Sequence, residues 1–120
     1  MWYIGIDVHS RSSSMCILDE HGKRIRQETI QGPWPCVVQR LKQIEHSFAV
    51  CYEASLGYGY LYDELVKIAQ RVEVAHPGHL RLIFRSKRKN DRVDAEKLAK
   101  LLFLGEIPTI YAPSASVRCW

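Results

Sequence analysis

The sequence predicts an α/β fold in which a central mixed five-stranded sheet is flanked by helices. Three short strand-like segments joined by turns occupy the first thirty residues. Two later apolar runs, at residues 48–53 and 72–75, have the length and composition of buried strands. Segments with helical spacing precede, separate and follow those runs. The predicted order of elements is therefore β-β-β-α-β-α-β-α.

The N-terminal third predicts an antiparallel meander. Its first segment, WYIGIDVH, alternates, so that one face carries Ile4 with its apolar neighbours and the other carries Gly5, Asp7 and His9. SMCILD reads as a second strand, and the turn after it places Gly22 where a positive φ is expected. RIRQETI is polar enough for a strand near the edge of the sheet.

The rest of the chain supplies the helices and the remaining strands. GPWP interrupts the chain, and residues 36–46 then show helical spacing. The buried strand FAVCYE ends in Glu53, and residues 60–70 form a second helix in which Tyr60 is expected in the core. VEVA is the fifth strand. The last helix covers residues 91–104 and is stopped by GEIP.

Length and composition restrict the class of protein. The 120 residues suffice for one domain with a modest core. No apolar run approaches the ~18 residues of a membrane span, and the N-terminus lacks the features of a signal peptide. Four cysteines without a Cys-x-x-Cys spacing favour reduced thiols over disulfides or zinc. A cytoplasmic protein is expected.

The last helix, within KNDRVDAEKLAKLL, carries two acids in an unusual place. Asp91 and Asp94 fall on the same side as Leu98, which should face the core, while Glu96 and Lys100 are spaced for an i,i+4 pair on the other side. Acids that lead onto an apolar face are costly unless a positive charge meets them.

Four acids are candidate metal ligands. If the fourth strand lies beside the first, Asp7 and Glu53 become neighbours, and a helix packed across those strand ends adds Asp94 and Asp91. Clustered carboxylates are tolerable when Mg²⁺ lies among them, and two such ions ~3.5–4 Å apart support phosphodiester chemistry. Other interpretations stay open: Asp7 is solvated, Glu53 pairs with a basic residue, or Asp91 caps the helix.

A basic run precedes the last helix. Six basic residues and one acid lie between Arg81 and Arg92, within a chain of net charge +4. This pattern is typical of contact with a phosphate backbone, although a solvated loop is the alternative. The candidate nucleic-acid contacts are Arg85, Lys87, Arg88, Lys89 and Arg92.

Three motifs, YIGIDVH, CYEASLGYGYLYDEL and KNDRVDAEKLAKLL, resemble the N-terminal blocks of the DEDD transposases of bacterial insertion sequences, relatives of the Piv DNA invertases. The family's Lys-x-Asp-x-x-Asp-Ala pattern is met by Lys89, Asp91, Asp94 and Ala95. The resemblance implies an RNase H-like, RuvC-like fold. It also implies Mg²⁺, with Mn²⁺ as a substitute, and four catalytic, metal-binding acids: Asp7, Glu53, Asp91 and Asp94.

The resemblance further implies metal-dependent DNA cleavage and strand transfer in transposition. Residues 1–112 would form the catalytic domain, and residues 113–120 would begin a linker helix to a C-terminal domain carrying a nucleophilic serine. No serine of this chain is assigned as that nucleophile. DNA is the expected partner, with a structured guide RNA in some members, and the full-length protein is expected to form a homodimer or homotetramer.

Three alternatives remain at this stage. A Holliday-junction resolvase needs the same acids but no serine domain. A half of a sugar-kinase or actin-like ATPase would explain IGIDVHS, yet a second glycine-rich phosphate loop and a second lobe are missing from the sequence. A non-catalytic nucleic-acid-binding or oligomerisation module would bind RNA or DNA equally well whether or not the four acids are neutralised.

Overall fold

The predicted order of strands and helices is present in the structure. A computed structural model of the chain describes residues 1–53, 59–75 and 95–105. The elements are β1 (Trp2–Val8), β2 (Ser12–Leu18), β3 (Arg24–Gln31), α1 (Trp34–Lys42), β4 (Phe48–Glu53), α2 (Gly59–Leu65), β5 (Arg71–Ala75) and α3 (Ala95–Leu104).

The five strands form one mixed sheet in the order β3-β2-β1-β4-β5. β1, β2 and β3 pair antiparallel, whereas β4 is parallel to β1 and β5 is parallel to β4. The meander is thus confirmed, and so is the position of polar β3 at the edge. Gly22 has a φ of +82° in the turn between β2 and β3, as its place in the sequence predicted.

Helices cover both faces of the sheet. On one face, the branched side chains of β1 pack with those of β2, β4, α1 and α2 in the larger core cluster. On the opposite face, α3 buries Leu98, Leu101 and Leu102 against Ala49 and Cys51. The leucine side of the last helix therefore faces a core, and Glu96 and Lys100 form the expected i,i+4 ion pair at 3.2 Å.

The helix boundaries differ from those predicted. α1 begins at Trp34, so Pro35 lies in its first turn, where a missing backbone N–H costs no intrahelical hydrogen bond. α2 ends at Leu65 instead of continuing to residue 70. The expectation that Tyr60 belongs to the core is wrong, because its side chain is 72% exposed. Leu61 and Leu65, four residues apart, define the buried side of α2, and Tyr60 faces away from it.

Within the described part of the chain, no helix combines the length and the apolar character needed to cross a membrane. Among the described residues, Cys16, Cys36 and Cys51 are free cysteines. Cys119 and the predicted linker, residues 113–120, lie outside the described residues.

Candidate active site at the carboxyl ends of strands β1 and β4

Asp7 and Glu53 lie at the same edge of the sheet. β1 and β4 are parallel neighbours whose register sets Ile6 beside Tyr52. Asp7 and Glu53 each follow this last pair by one residue, so both lie at the same edge of the sheet. Because side chains alternate, both carboxylates belong to the face of the sheet that α3 covers. The predicted neighbour relation between β1 and β4 is confirmed.

Helix α3 starts at this edge because Gly5 lets it approach β1 closely. A Cβ atom added at Gly5 would lie 2.5 Å from the backbone nitrogen of Ala99 and would also meet the carbonyl oxygen of Ala95. At the other end of the helix, Phe103 packs edge-to-face on Tyr3, with ring centroids 5.2 Å apart. α3 therefore runs antiparallel to β1, and the chain enters it at the edge that holds Asp7.

His9 contacts the first of the two acids. Its Nε2 lies 3.0 Å from Oδ2 of Asp7, whose side chain is 14% exposed. The ring nitrogen is not aligned for a hydrogen bond with any group in the described part of the chain. A backbone hydrogen bond from His9 N–H to the carbonyl of Ser12, at 3.0 Å, closes the turn between β1 and β2. The strand alternation placed His9 on this face, and the structure brings it into contact with Asp7.

Beneath the carboxylates, strand β4 presents apolar side chains to α3. Burial raises the pKa of the Cys51 thiol, and the nearby Glu73 carboxylate raises it further. Cys51 is therefore a neutral thiol at physiological pH and not a thiolate ligand. Ala49, Ala75 and Leu98 complete this layer. The donor atoms that the described residues offer at the edge are consequently carboxylate oxygens, with the His9 imidazole beside them.

The donor set fits a hard divalent cation. Carboxylate oxygens from adjacent strands are ligands that Mg²⁺ and Mn²⁺ accept. Across residues 1–53, 59–75 and 95–105, no three potential ligands are grouped for a metal. The other two predicted acids, Asp91 and Asp94, lie outside the described residues. So do the predicted nucleic-acid contacts Arg85, Lys87, Arg88, Lys89 and Arg92.

A row of neutral polar residues continues the site toward β3. Ser14 pairs with Asp7 on one side and with Thr29 on the other, so all three belong to one row on the same face of the sheet. The next row toward the strand end pairs Ser12 with Gln31. Sequence reasoning missed these residues, although the alternation of RSSSM already put Ser12 and Ser14 on the face that carries Asp7.

The fold is shared with a known nuclease. The structure of RuvC from Thermus thermophilus matches with a TM-score of 0.50 and 16% sequence identity, over 92% of this chain and 100% of that chain. This likeness shows the RNase H-like fold that the sequence predicted. No curated protein matches the sequence.

The sequence itself identifies the family. The family model for DEDD transposases of the IS110 group, described as "Transposase", matches residues 4–118. Enzymes that combine the DEDD signature with a RuvC-like fold generally use divalent metal ions and act on DNA. The chain belongs to the IS110 DEDD transposase family and is an enzyme domain of DNA transposition with a RuvC-like fold.

Proposed function

We propose that Asp7 and Glu53 bind Mg²⁺ together with Asp91 and Asp94, and that this cluster is the catalytic centre of the transposase. The supporting observation is the geometry of one edge of the sheet: two adjacent parallel strands carry carboxylates near their carboxyl ends, and α3 begins at the same edge. Asp94 directly precedes Ala95, the first residue of α3, and this adjacency along the chain supports its place in the cluster.

The chain's own residues prepare the site. Asp7 and Glu53 side by side repel each other, so they favour a cation between them. His9, in contact with Oδ2 of Asp7, restricts the orientation of that carboxylate. The close approach of α3 at Gly5 fixes the direction from which the chain reaches the edge. Bound divalent ions supply Lewis-acid stabilisation of the attacking and leaving oxygens of a phosphodiester.

The remaining sequence-based predictions complete the proposal. Residues 1–112 form the catalytic domain, residues 113–120 begin a linker helix, and the protein acts in the cytoplasm as a dimer or tetramer, in some contexts with a structured guide RNA. The net charge of +4 supports nucleic-acid binding. The proposed phosphate contacts are Arg85, Lys87, Arg88, Lys89 and Arg92.

The test is a Mn²⁺ titration followed by calorimetry, with and without DNA, on the native chain and on Asp7→Asn and Glu53→Gln. We expect at least a tenfold loss of affinity in both variants, because each removes a charged ligand. Glu64→Gln is the matched control: it removes one carboxylate from α2, where Glu64 pairs with Lys67 at 3.1 Å, and should bind as the native chain does.

Thermal unfolding of each variant separates a lost ligand from a lost fold. Undiminished Mn²⁺ affinity in both folded variants, with DNA present, would refute the proposed site, and so would undiminished DNA cleavage.

The resolvase alternative is favoured by the RuvC-like fold alone. Cleavage of a four-way junction in preference to a linear duplex would support it over strand transfer.

A further inference from the structure

A neutral polar surface adjoins the two carboxylates on the face of the sheet that α3 covers. Four side chains compose it, two from β2 and two from β3, and we call it the hydroxyl–amide patch: Ser12, Ser14, Thr29 and Gln31. Ser14 is the strand neighbour of Asp7, and Thr29 is the next residue in the same row. Two strand spacings of ~4.8 Å set the patch within about 10 Å of Asp7.

α3 stops short of this patch. Ala95 and Ala99 pack on Cys16 and Leu18, which lie one and two rows before Ser14 on the same face of β2. Beyond that limit the side chains change from apolar to polar. Thr29 and Gln31 are exposed, while Ser12 and Ser14 are half-buried. Thr29 and Gln31 are therefore accessible to a partner on the β3 side of Asp7.

The charges on the two sides of the acidic pair differ. On the β5 side, Glu73 belongs to the same face as Cys51, one row from Glu53, and forms an ion pair with Arg71 at 3.0 Å. On the β3 side, the four residues of the hydroxyl–amide patch are all uncharged, and the exposed Arg11 lies in the turn that leads into β2. The β3 side therefore offers an approaching polyanion neutral hydrogen-bonding groups and the Arg11 guanidinium, with no carboxylate among the four residues of the patch.

We propose that the hydroxyl–amide patch contacts the sugar–phosphate backbone of the DNA strand that enters the catalytic site, so that this strand crosses β2 and β3. Serine and threonine hydroxyls and glutamine amides donate hydrogen bonds to phosphate oxygens, and such contacts position a strand without reading its sequence. This inference rests on the proposed function, because it takes the carboxylates Asp7 and Glu53 as the place where the strand is cut.

The test measures DNA affinity by fluorescence anisotropy, with a labelled duplex of mixed sequence and with its single strand, over a series of salt concentrations. The variant is Ser14→Ala combined with Thr29→Val, which removes two hydroxyls and keeps a strand-compatible side chain at the exposed position. Each lost hydrogen bond of ordinary net strength weakens binding roughly fivefold, so we expect a loss of roughly 25-fold.

The dependence on salt identifies the kind of contact. Neutral donors release no counterions, so the slope of log affinity against log salt should not change in the double variant. Joint removal of the cations Lys87, Arg88 and Lys89 should instead flatten that slope. The matched control is Ser13→Ala. Ser13 is buried on the opposite face of β2 and its Oγ has no hydrogen-bond partner in the described part of the chain, so this variant should bind DNA as the native chain does.

The result that overturns the inference is unchanged DNA affinity in the double variant, or an equal loss in Ser13→Ala. A Mn²⁺ titration of the double variant separates this outcome from a failure of the proposed function. Mn²⁺ affinity should remain native there, because neither hydroxyl is a proposed ligand. A loss of Mn²⁺ affinity would make Ser14 part of the metal site and would also overturn its assignment as a DNA contact.

Discussion

Gly5→Ala is the substitution that tests most directly whether the position of α3 matters for the site. The added methyl group would point from β1 into the backbone of α3. It would lie 2.5 Å from the nitrogen of Ala99 and 2.9 Å from Cβ of Leu98, whereas ordinary van der Waals contact begins at 3.4 Å. The atoms it meets first are backbone atoms, which cannot rotate away as the end of a flexible side chain can.

The size of the effect follows from these distances. The shortfall against 3.4 Å at the nitrogen of Ala99 is 0.9 Å, so α3 must move from β1 by about that distance. Overpacking of this kind costs typically 1–3 kcal/mol, and we expect the upper half of that range because the contact is with backbone. A misplacement of about 1 Å at a catalytic centre can reduce the rate about 100-fold.

Three measurements check this expectation. Urea unfolding should show a loss of about 2–3 kcal/mol of unfolding free energy. Calorimetry should show weakened Mn²⁺ binding, and DNA cleavage by the transposase should fall about 100-fold. Leu65→Ala is the control. Leu65 is buried on the opposite face of the sheet, so its truncation should cost about 2–5 kcal/mol while Mn²⁺ affinity stays native.

Two results would refute the reasoning. An unfolding free energy of Gly5→Ala within about 0.5 kcal/mol of the native value would mean that α3 accommodates a side chain at this position. Alternatively, Gly5→Ala and Leu65→Ala could lose Mn²⁺ affinity equally, in which case the effect follows from stability and not from the position of α3 over β1.

Two further predictions concern groups with shifted pKa values. Arg40 donates two hydrogen bonds to Glu28, at 2.7 and 3.0 Å, and holds the pKa of that carboxyl below its ordinary value of 4.5. The pair should therefore contribute about 1 kcal/mol to the free energy of unfolding above pH 4.5, and this contribution should vanish as pH falls through the lowered pKa. The measurement compares the unfolding free energies of the native chain and Glu28→Gln over a pH series. A difference between them that persists at the lowest pH would contradict the prediction. Burial raises the pKa of Cys51, so this thiol should resist alkylation by iodoacetamide at pH 8.5 until urea is added. Half-buried Cys36 should react first. Mass spectrometry of the labelled peptides would contradict the prediction if Cys51 of the folded chain were labelled at the rate of Cys36.

Local patterns were sufficient to predict the order of elements. The alternation of WYIGIDVH separated two faces, and both faces are buried because α1 and α2 cover one and α3 covers the other. The polar composition of RIRQETI correctly indicated an edge strand. Boundaries were predicted less well, since Trp34 and Pro35 begin α1 despite a pattern that reads as a break. The spacing of Leu61 and Leu65 already contained the signal that Tyr60 faces outward.

The placement of Asp7 and Glu53 at one edge of the sheet depends on the pairing of β1 with β4, a tertiary contact that no local sequence pattern specifies. The sequence places Asp7 near the end of one strand and Glu53 at the end of another. It does not show that β4 inserts next to β1 in parallel, with the register that sets Ile6 beside Tyr52. That arrangement depends on the crossover through α1 and on the burial of both strands between two layers of helices. The sequence-based hypothesis made this pairing its condition, and the structure meets it.

The row at which the apolar core beneath α3 ends is evident when the paired strands are compared, although no single strand shows it. On the face beneath α3, the row through Tyr3 pairs with Leu18 and Ala49, and the row through Gly5 pairs with Cys16 and Cys51. The following row changes to Asp7 with Ser14, and Glu53 is next in register. Each of the three central strands becomes polar at the same row, which lies one row beyond Gly5, the residue that Ala95 at the start of α3 approaches. The carboxylates and hydroxyls therefore lie together at the row where the apolar core beneath α3 gives way to polar side chains.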